Sequence, residues 1–148
     1  MDLVNITGRV NVKKYKNGVL VQELEQPNLI TTEGKAMVAD RMKAVPSIGV
    51  ITHMGVGVAG SVAAGDTSST FELTDVATVA LDSTTVNAAQ ITYVATFPAG
   101  TGTNPALADG ALLTAASGGT LLAHTMFSAT INKEADDVLV VTWVITVG

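Results

Sequence analysis

The stretch Asp109–Gly148 reads DGALLTAASGGTLLAHTMFSATINKEADDVLVVTWVITVG. Three apolar runs in it are separated by two turn signals, Ser117-Gly118-Gly119 and Asn132–Asp137. Glycine, asparagine and aspartate punctuate strands because they reach turn conformations that β-branched residues avoid. In the last run, Leu139, Val141, Trp143, Ile145 and Val147 form one unbroken apolar face. Val138, Val140, Thr142, Val144 and Thr146 form the other. A strand apolar on one side and half-apolar on the other belongs in the middle of a sheet. In the run before it, Leu121, Ala123, Thr125, Phe127, Ala129 and Ile131 share a face, and His124, Ser128 and Thr130 share the opposite one.

Upstream, Gln90–Phe97 alternates cleanly, with Ile91, Tyr93, Ala95 and Phe97 on the core side. Pro98–Pro105 (PAGTGTNP) reads as a loop. Val50–Val58 reads as a strand whose Gly55 and Gly57 share a face, leaving room for another backbone. A turn-rich loop is expected over 59–69, with short strands at Phe71–Leu73 and Ala77–Leu81.

At the amino terminus, Val4, Ile6, Val10 and Val12 alternate with polar residues, and Gly8 suggests a bulge. Asn17-Gly18 supplies a hairpin turn. A three-residue loop, Lys16-Asn17-Gly18, would pair Val10 with Leu24 and Lys14 with Leu20, which groups apolar residues best. Pro27 ends the second strand. Thr31 or Thr32 then caps a helix from about Glu33 to Ala44. Its expected buried stripe is Met37, Val38, Met42 and Val45, with Glu33, Lys35, Asp40 and Lys43 solvated.

Eight to nine short strands and one helix predict a mainly β fold. The expected architecture is an antiparallel β-sandwich or jelly-roll-like barrel with an N-terminal β-hairpin and one short α-helix. The expected organisation is one β domain over 1–148: a hairpin arm at 1–30, the helix at 32–45 and the sandwich body at 49–148.

Charge is sparse and unevenly placed. Charged residues make up 14% of the chain, against roughly 25% in an average soluble domain. Seven of the eight basic residues precede residue 45, so residues 1–45 net +2 and the remainder nets −7. That acidic balance argues against nucleic acid as a partner. Residues 45–65, 83–108 and 110–132 contain no charged side chain at all. A solvated surface normally mixes charges densely, so these tracts are expected to be hidden in an assembly. No run approaches the roughly 18 apolar residues of a membrane span, and MDLVNITGRVNV lacks the pattern of a signal peptide. With no cysteine, neither a disulfide framework nor thiol chemistry is available.

Catalytic, cofactor and metal sites are not expected. His53 and His124 each stand alone in a strand, with no acidic or histidine neighbour at ligand spacing. They read as sheet-surface or interface residues. Glu134, Asp136 and Asp137 read as a solvated turn, since calcium needs six or more oxygens from a shaped loop. Gly55, Gly57 and Gly60 fit GxGxxG literally, but no helix pattern follows. No serine sits in a GxSxG elbow.

The order of segments carries a resemblance. NLITTEGKAMVADRM (Asn28–Met42), ITHMGVGVAG (Ile51–Gly60) and GDTSSTFEL (Gly65–Leu73) are followed by TYVATFPAGTGT (Thr92–Thr103). ADGALLTAASGGTLLAHTMF (Ala108–Phe127) and TINKEADDVLVVTWVITVG (Thr130–Gly148) close the chain. This resembles small structural proteins of tailed bacteriophages, most like capsid decoration, or cement, proteins. The resemblance implies a non-enzymatic virion protein on the capsid surface, made in the host cytoplasm. Its partner would be the major capsid protein, and it would be a homo-oligomer, with a trimer favoured and no cofactor, membrane or nucleic acid. The expected contact elements are the basic hairpin (Lys13, Lys14, Tyr15 and Lys16) and the neutral loops at 59–69 (Asp66, Thr67) and 98–105 (Thr101, Thr103, Asn104). Alternatives are a tail, baseplate or fibre-attachment protein, and a carbohydrate-binding β-sandwich. The last would need exposed aromatics, and Trp143, Phe127, Phe97 and Tyr93 all fall on expected core faces, leaving Tyr15 and Phe71.

Overall fold

A computed structural model describes residues 5–148; the expected core position Val4 lies outside that range. The chain runs β1 (Ile6–Lys16), β2 (Val19–Pro27), β3 (Leu29–Ile30), α1 (Thr32–Arg41), β4 (His53–Gly57), α2 (Ser68–Glu72), β5 (Asp75–Ala80), β6 (Ser83–Asn87), β7 (Gln90–Phe97), β8 (Asn104–Leu113), β9 (Leu121–Lys133) and β10 (Val138–Val147). The strands form two five-stranded antiparallel sheets, ordered β2-β1-β10-β7-β6 and β3-β9-β8-β4-β5. The fold is therefore the expected sandwich and not a closed barrel.

β10 occupies the centre of the first sheet, as its two-sided apolar pattern requires. It pairs with β1 from Ile6↔Val147 to Tyr15↔Val138, and with β7 from Thr146↔Gln90 to Leu139↔Phe97. Leu139, Val141, Trp143 and Ile145 are buried against core residues of the facing sheet, among them Leu107, Leu112, Ala123 and Ile131. The Trp143 indole N–H, buried in that core, donates to Asn28 Oδ1 at 3.0 Å. Gly8 explains how: a Cβ there would collide with the Asn28 side chain. Gly8 lies in unbroken register opposite Ile145, so its role is close approach, not the expected bulge.

The bulge falls elsewhere in the hairpin. Asn17 and Gly18 both have positive φ, 51° and 77°, and form a two-residue turn that pairs Lys16 with Val19 and Tyr15 with Leu20. Register then shifts beyond Tyr15, so Lys14 faces Gln22, Val12 faces Leu24 and Val10 faces Gln26. This corrects the expected three-residue loop. The turn chemistry of Asn-Gly wins at the tip, and one extra residue in β2 restores the apolar pairing of Val12 with Leu24.

α1 is capped by Thr31, whose Oγ1 accepts from Gly34 N–H at 2.8 Å and donates to the Leu121 carbonyl at 2.6 Å. The helix ends at Arg41, before the expected Ala44. Only the first half of the expected stripe is core: Met37 is buried and Val38 partly so, whereas Met42 and Val45 are largely exposed. Asp40 stops the helix by accepting from the Ser47 and Ile48 N–H groups, which turns the chain before a further helical turn can form. Glu33 is not free in solvent, since its carboxylate accepts from Leu121 N–H at 2.8 Å.

Three further expectations change. Phe71–Leu73 is not a strand, because Phe71 sits within α2, whose capping box joins Thr67 and Thr70. A period-two reading of three residues carries too little information against that box. Ten strands are present among the described residues, with β6, which has no apolar alternation, added to those expected. Finally, β4 begins only at His53, although the stretch from Val50 was expected to be extended.

The glycine expectation in β4 holds in a modified form. A Cβ on Gly57 would meet the Thr74 carbonyl at 2.7 Å, a backbone approach, and one on Gly55 would meet the Phe71 ring at 2.5 Å. α1 makes a comparable approach, since a Cβ on Gly34 would run into the backbone of Leu122. Gly34→Ala should therefore cost about 1–3 kcal/mol through overpacking. Gly60→Ala, with nothing within 4 Å of the new methyl, should be neutral or slightly stabilising. Urea unfolding of the two variants tests this, and equal midpoints would contradict the packing of α1 on β9.

Candidate association surfaces

Sheet β3-β9-β8-β4-β5 is covered on both faces. Leu112 and Ala123 face the sandwich core. On the outer face, Ala111, Leu113 and Leu121 pack with Phe71 of α2 in a second, smaller core. This outer layer is fastened by His124. Its Nδ1 lies 2.8 Å from Asp66 Oδ2 and its Nε2 lies 2.5 Å from Asp109 Oδ2. The Phe71 ring meets the imidazole edge-on, with centroids 5.8 Å apart. Each carboxylate also grips the loop between β4 and α2: Asp66 accepts from Ala63 N–H and Asp109 from Ala59 N–H.

His124 is therefore not a surface histidine, as its isolation in sequence suggested. It is 1% exposed, and Asp109 is 0% exposed. The partners lie 58 and 15 residues away along the chain, outside any ligand spacing a linear motif could show. Burial alone would lower its pKa, but hydrogen bonds to Asp109 and Asp66 and their negative charges outweigh burial and raise it. Both ring nitrogens are engaged by carboxylates, which favours the doubly protonated ring.

At one end of the sandwich, the hairpin tip meets the β9–β10 turn and the loop after β7. Lys16 Nζ lies 2.5 Å from Glu134 Oε2, 3.5 Å from Asp137 Oδ1 and 3.8 Å from Asp136 Oδ1. The hydrogen bond to Glu134 outweighs the cost of desolvation, so the Lys16 pKa is raised, with the three negative charges adding to it. These are the three carboxylates that converge closely enough to suit a metal ion, and the Lys16 ammonium supplies the positive charge among them. Lys14 Nζ donates to the Asn132 carbonyl at 2.9 Å. Gly100 N–H donates to the Ala135 carbonyl at 2.7 Å. Lys133 is fully buried and donates to the Pro98 carbonyl at 3.0 Å. Its burial lowers the ammonium pKa, against the raising effect of Asp137.

The expected contact residues thus divide. Lys13, Lys14, Tyr15 and Lys16 are half-buried, and the positive charge of Lys16 is spent on the chain's own acidic turn. Thr101, Thr103 and Asn104 lie at this same end, with Thr103 exposed and Asn104 Oδ1 accepting from Ala106 N–H. Asp66 and Thr67 lie elsewhere. Asp66 is turned inward onto His124, and Thr67 caps α2, so neither is presented to a partner. What this end does present is apolar: Val19, Leu20 and Val21 are 62%, 44% and 50% exposed. The β2 bulge and the edge position leave all three out.

The opposite end differs in character. β1 pairs with β10 over ten residue pairs, which separates the two ends by about 30 Å at roughly 3.4 Å per residue. Here the sheets part around a cleft of about 450 Å³ lined almost wholly by apolar side chains, including Met37, Ile51, Ile91, Tyr93, Leu122 and Ile145. Burial raises the pKa of the Tyr93 hydroxyl. Every residue from Asp82 to Gln90, covering β6 and its turn, is exposed.

No protein-family model, no curated protein and no solved structure matches the chain.

The histidine clamp has a pH signature. Because the folded-state pKa of His124 is raised above its ordinary 6.5, its contribution is fully present below about pH 6.5 and is lost as pH rises through the raised value. Urea midpoints should fall on going from pH 6 toward pH 9. Asp109→Asn removes one cause of the raised pKa, so it should make that fall smaller and end it at lower pH. His124→Leu should cost about 3–5 kcal/mol by leaving buried charge unpaired. A wild-type midpoint that rises over this range would contradict the clamp.

Proposed function

We propose that the protein is a structural protein of a tailed-bacteriophage virion. In this reading it is a decoration protein on the capsid surface that binds the major capsid protein and reinforces the shell. The observation that carries the reading is the exposed apolar triplet Val19-Leu20-Val21 on a hairpin tip held rigid by Lys14 and Lys16. Soluble monomers rarely leave clustered apolar side chains in water without a use. A stiff tip loses little conformational freedom on docking, so more of its contact energy is retained. The neutral loop at 98–105 lies beside it and would extend the footprint.

The resemblance in segment order to phage structural proteins supports the same reading. So does the placement of His124, Lys14, Lys16 and Lys133, each committed to contacts within the chain. The carbohydrate-binding alternative loses support, because Phe71 is buried and Tyr15 is half-buried. Reinforcement would come from many copies, each adding modest contact area and each raising the effective concentration of its neighbours' contacts.

Heads assembled from the major capsid protein of the phage that carries the gene test this. Added protein should co-sediment with emptied heads and raise their melting temperature. Val19→Asp with Val21→Asp changes only exposed positions, so the fold should hold within about 0.5 kcal/mol. Head binding should weaken by about tenfold or more, equivalent to about 1.4 kcal/mol. Protein that neither binds heads nor stabilises them would contradict the reading.

A further inference from the structure

We propose that the end opposite the hairpin tip joins two copies of this chain, with β6 pairing antiparallel to β6 of the second copy so that two five-stranded sheets become one. This proposal does not require the capsid contact.

An edge strand presents unpaired N–H and C=O groups, and folded proteins blunt such edges with charge, proline, bulges or shortness. Three of the four edges here are blunted. β2 carries Glu23, Glu25, Pro27 and the register shift. β3 is two residues long. β5 carries Asp75 beside a register shift in its pairing with β4. β6, Ser83-Thr84-Thr85-Val86-Asn87, has none of these devices. It pairs with β7 in unbroken register, and all five residues are exposed. Among the described residues, nothing pairs with its outer side.

The side chains say which strand would be acceptable there. In a two-fold antiparallel pair, residues of β6 lie opposite residues of the same strand in the other copy. Any charge would sit near its own like charge, which is destabilising, whereas Thr and Val pairs are favourable. Along the chain the charge nearest the strand is Asp82, one residue before it.

The cleft adjoins this edge, since Thr84 of β6 is part of its lining. Thr84 and Val86 are the register partners of Tyr93 and Ile91, so they share the face that lines the cleft. Val86, Val50 and Val147 stand exposed around it, Val86 at 68%. Among the described residues, Arg41 is the one charged residue in the lining, and its guanidinium already donates to the Ile48 carbonyl. Two such apolar rims brought together by the strand pair would cover each other, which an isologous contact requires. This also gives the exposed, uncharged start of the tract at 83–108 a physical purpose.

Sedimentation velocity of the full chain across a wide concentration range tests the pairing, using Thr85→Lys and Val86→Lys separately. The wild type should sediment as a dimer. Either lysine should raise the dimer dissociation constant at least a hundredfold without altering the circular dichroism. Val21→Lys, on the β2 edge, should leave it unchanged. A wild type that stays monomeric, a trimer, or a dimer indifferent to both lysines would overturn the proposal. Monomeric protein that still binds phage heads would overturn it while leaving the capsid reading intact. A dimer that ignores phage heads would do the reverse.

Discussion

A buried imidazole between two buried carboxylates decides how this sandwich closes. Without His124, Asp66 of the loop between β4 and α2 would lose its polar partner on the sheet. The Phe71 ring, seated over Gly55, would lose the imidazole it meets edge-on. With it, sheet β3-β9-β8-β4-β5 becomes a layer covered on both sides, and β9 is buried from Leu121 to Thr125. Such a site is costly when incomplete, because an unpaired buried charge is among the most destabilising defects available. The clamp therefore specifies one position for the covering layer.

The clamp also sorts the uncharged tracts into two kinds. The tract at 110–132 was expected to be hidden by another subunit, and its charge-free character has a nearer cause. Much of it is buried by α1, α2 and the Asp66 loop of the same chain. The tract at 83–108 is different, because its first strand is exposed along its whole length. Low charge thus has one explanation inside the molecule and another at its surface. The exposed strand at its start lies at the cleft end, while its loop at 98–105 and the exposed apolar triplet of the hairpin lie at the other.

Much of the fold was legible because it rests on local patterns. The alternation in Val138–Val147 placed it at a sheet centre, and that of Gln90–Phe97 assigned the faces of Tyr93 and Phe97. Asn17-Gly18 announced its turn. Elements decided by long-range contact were not legible. β6 has no apolar alternation because neither of its faces is covered. Phe71 reads as strand or helix until the Thr67–Thr70 box is weighed. The clamp joins Asp66, Asp109 and His124 from a loop and two strands, and only the folded chain brings them together. Lys16 was legible as basic but not as already neutralised, since its partners are 118 to 121 residues distant.

One neutral tract is buried largely within the chain, and the exposed strand that opens another is proposed to meet a second copy. Amide hydrogen exchange of dilute and concentrated protein tests both halves together. Amides of Leu121–Thr125 should be protected equally at every concentration, and those amides of Thr84–Val86 that point away from β7 only when the protein is concentrated. Fast exchange at these outward amides under all conditions would contradict the strand pairing, and protection of Leu121–Thr125 that depends on concentration would contradict burial within the chain.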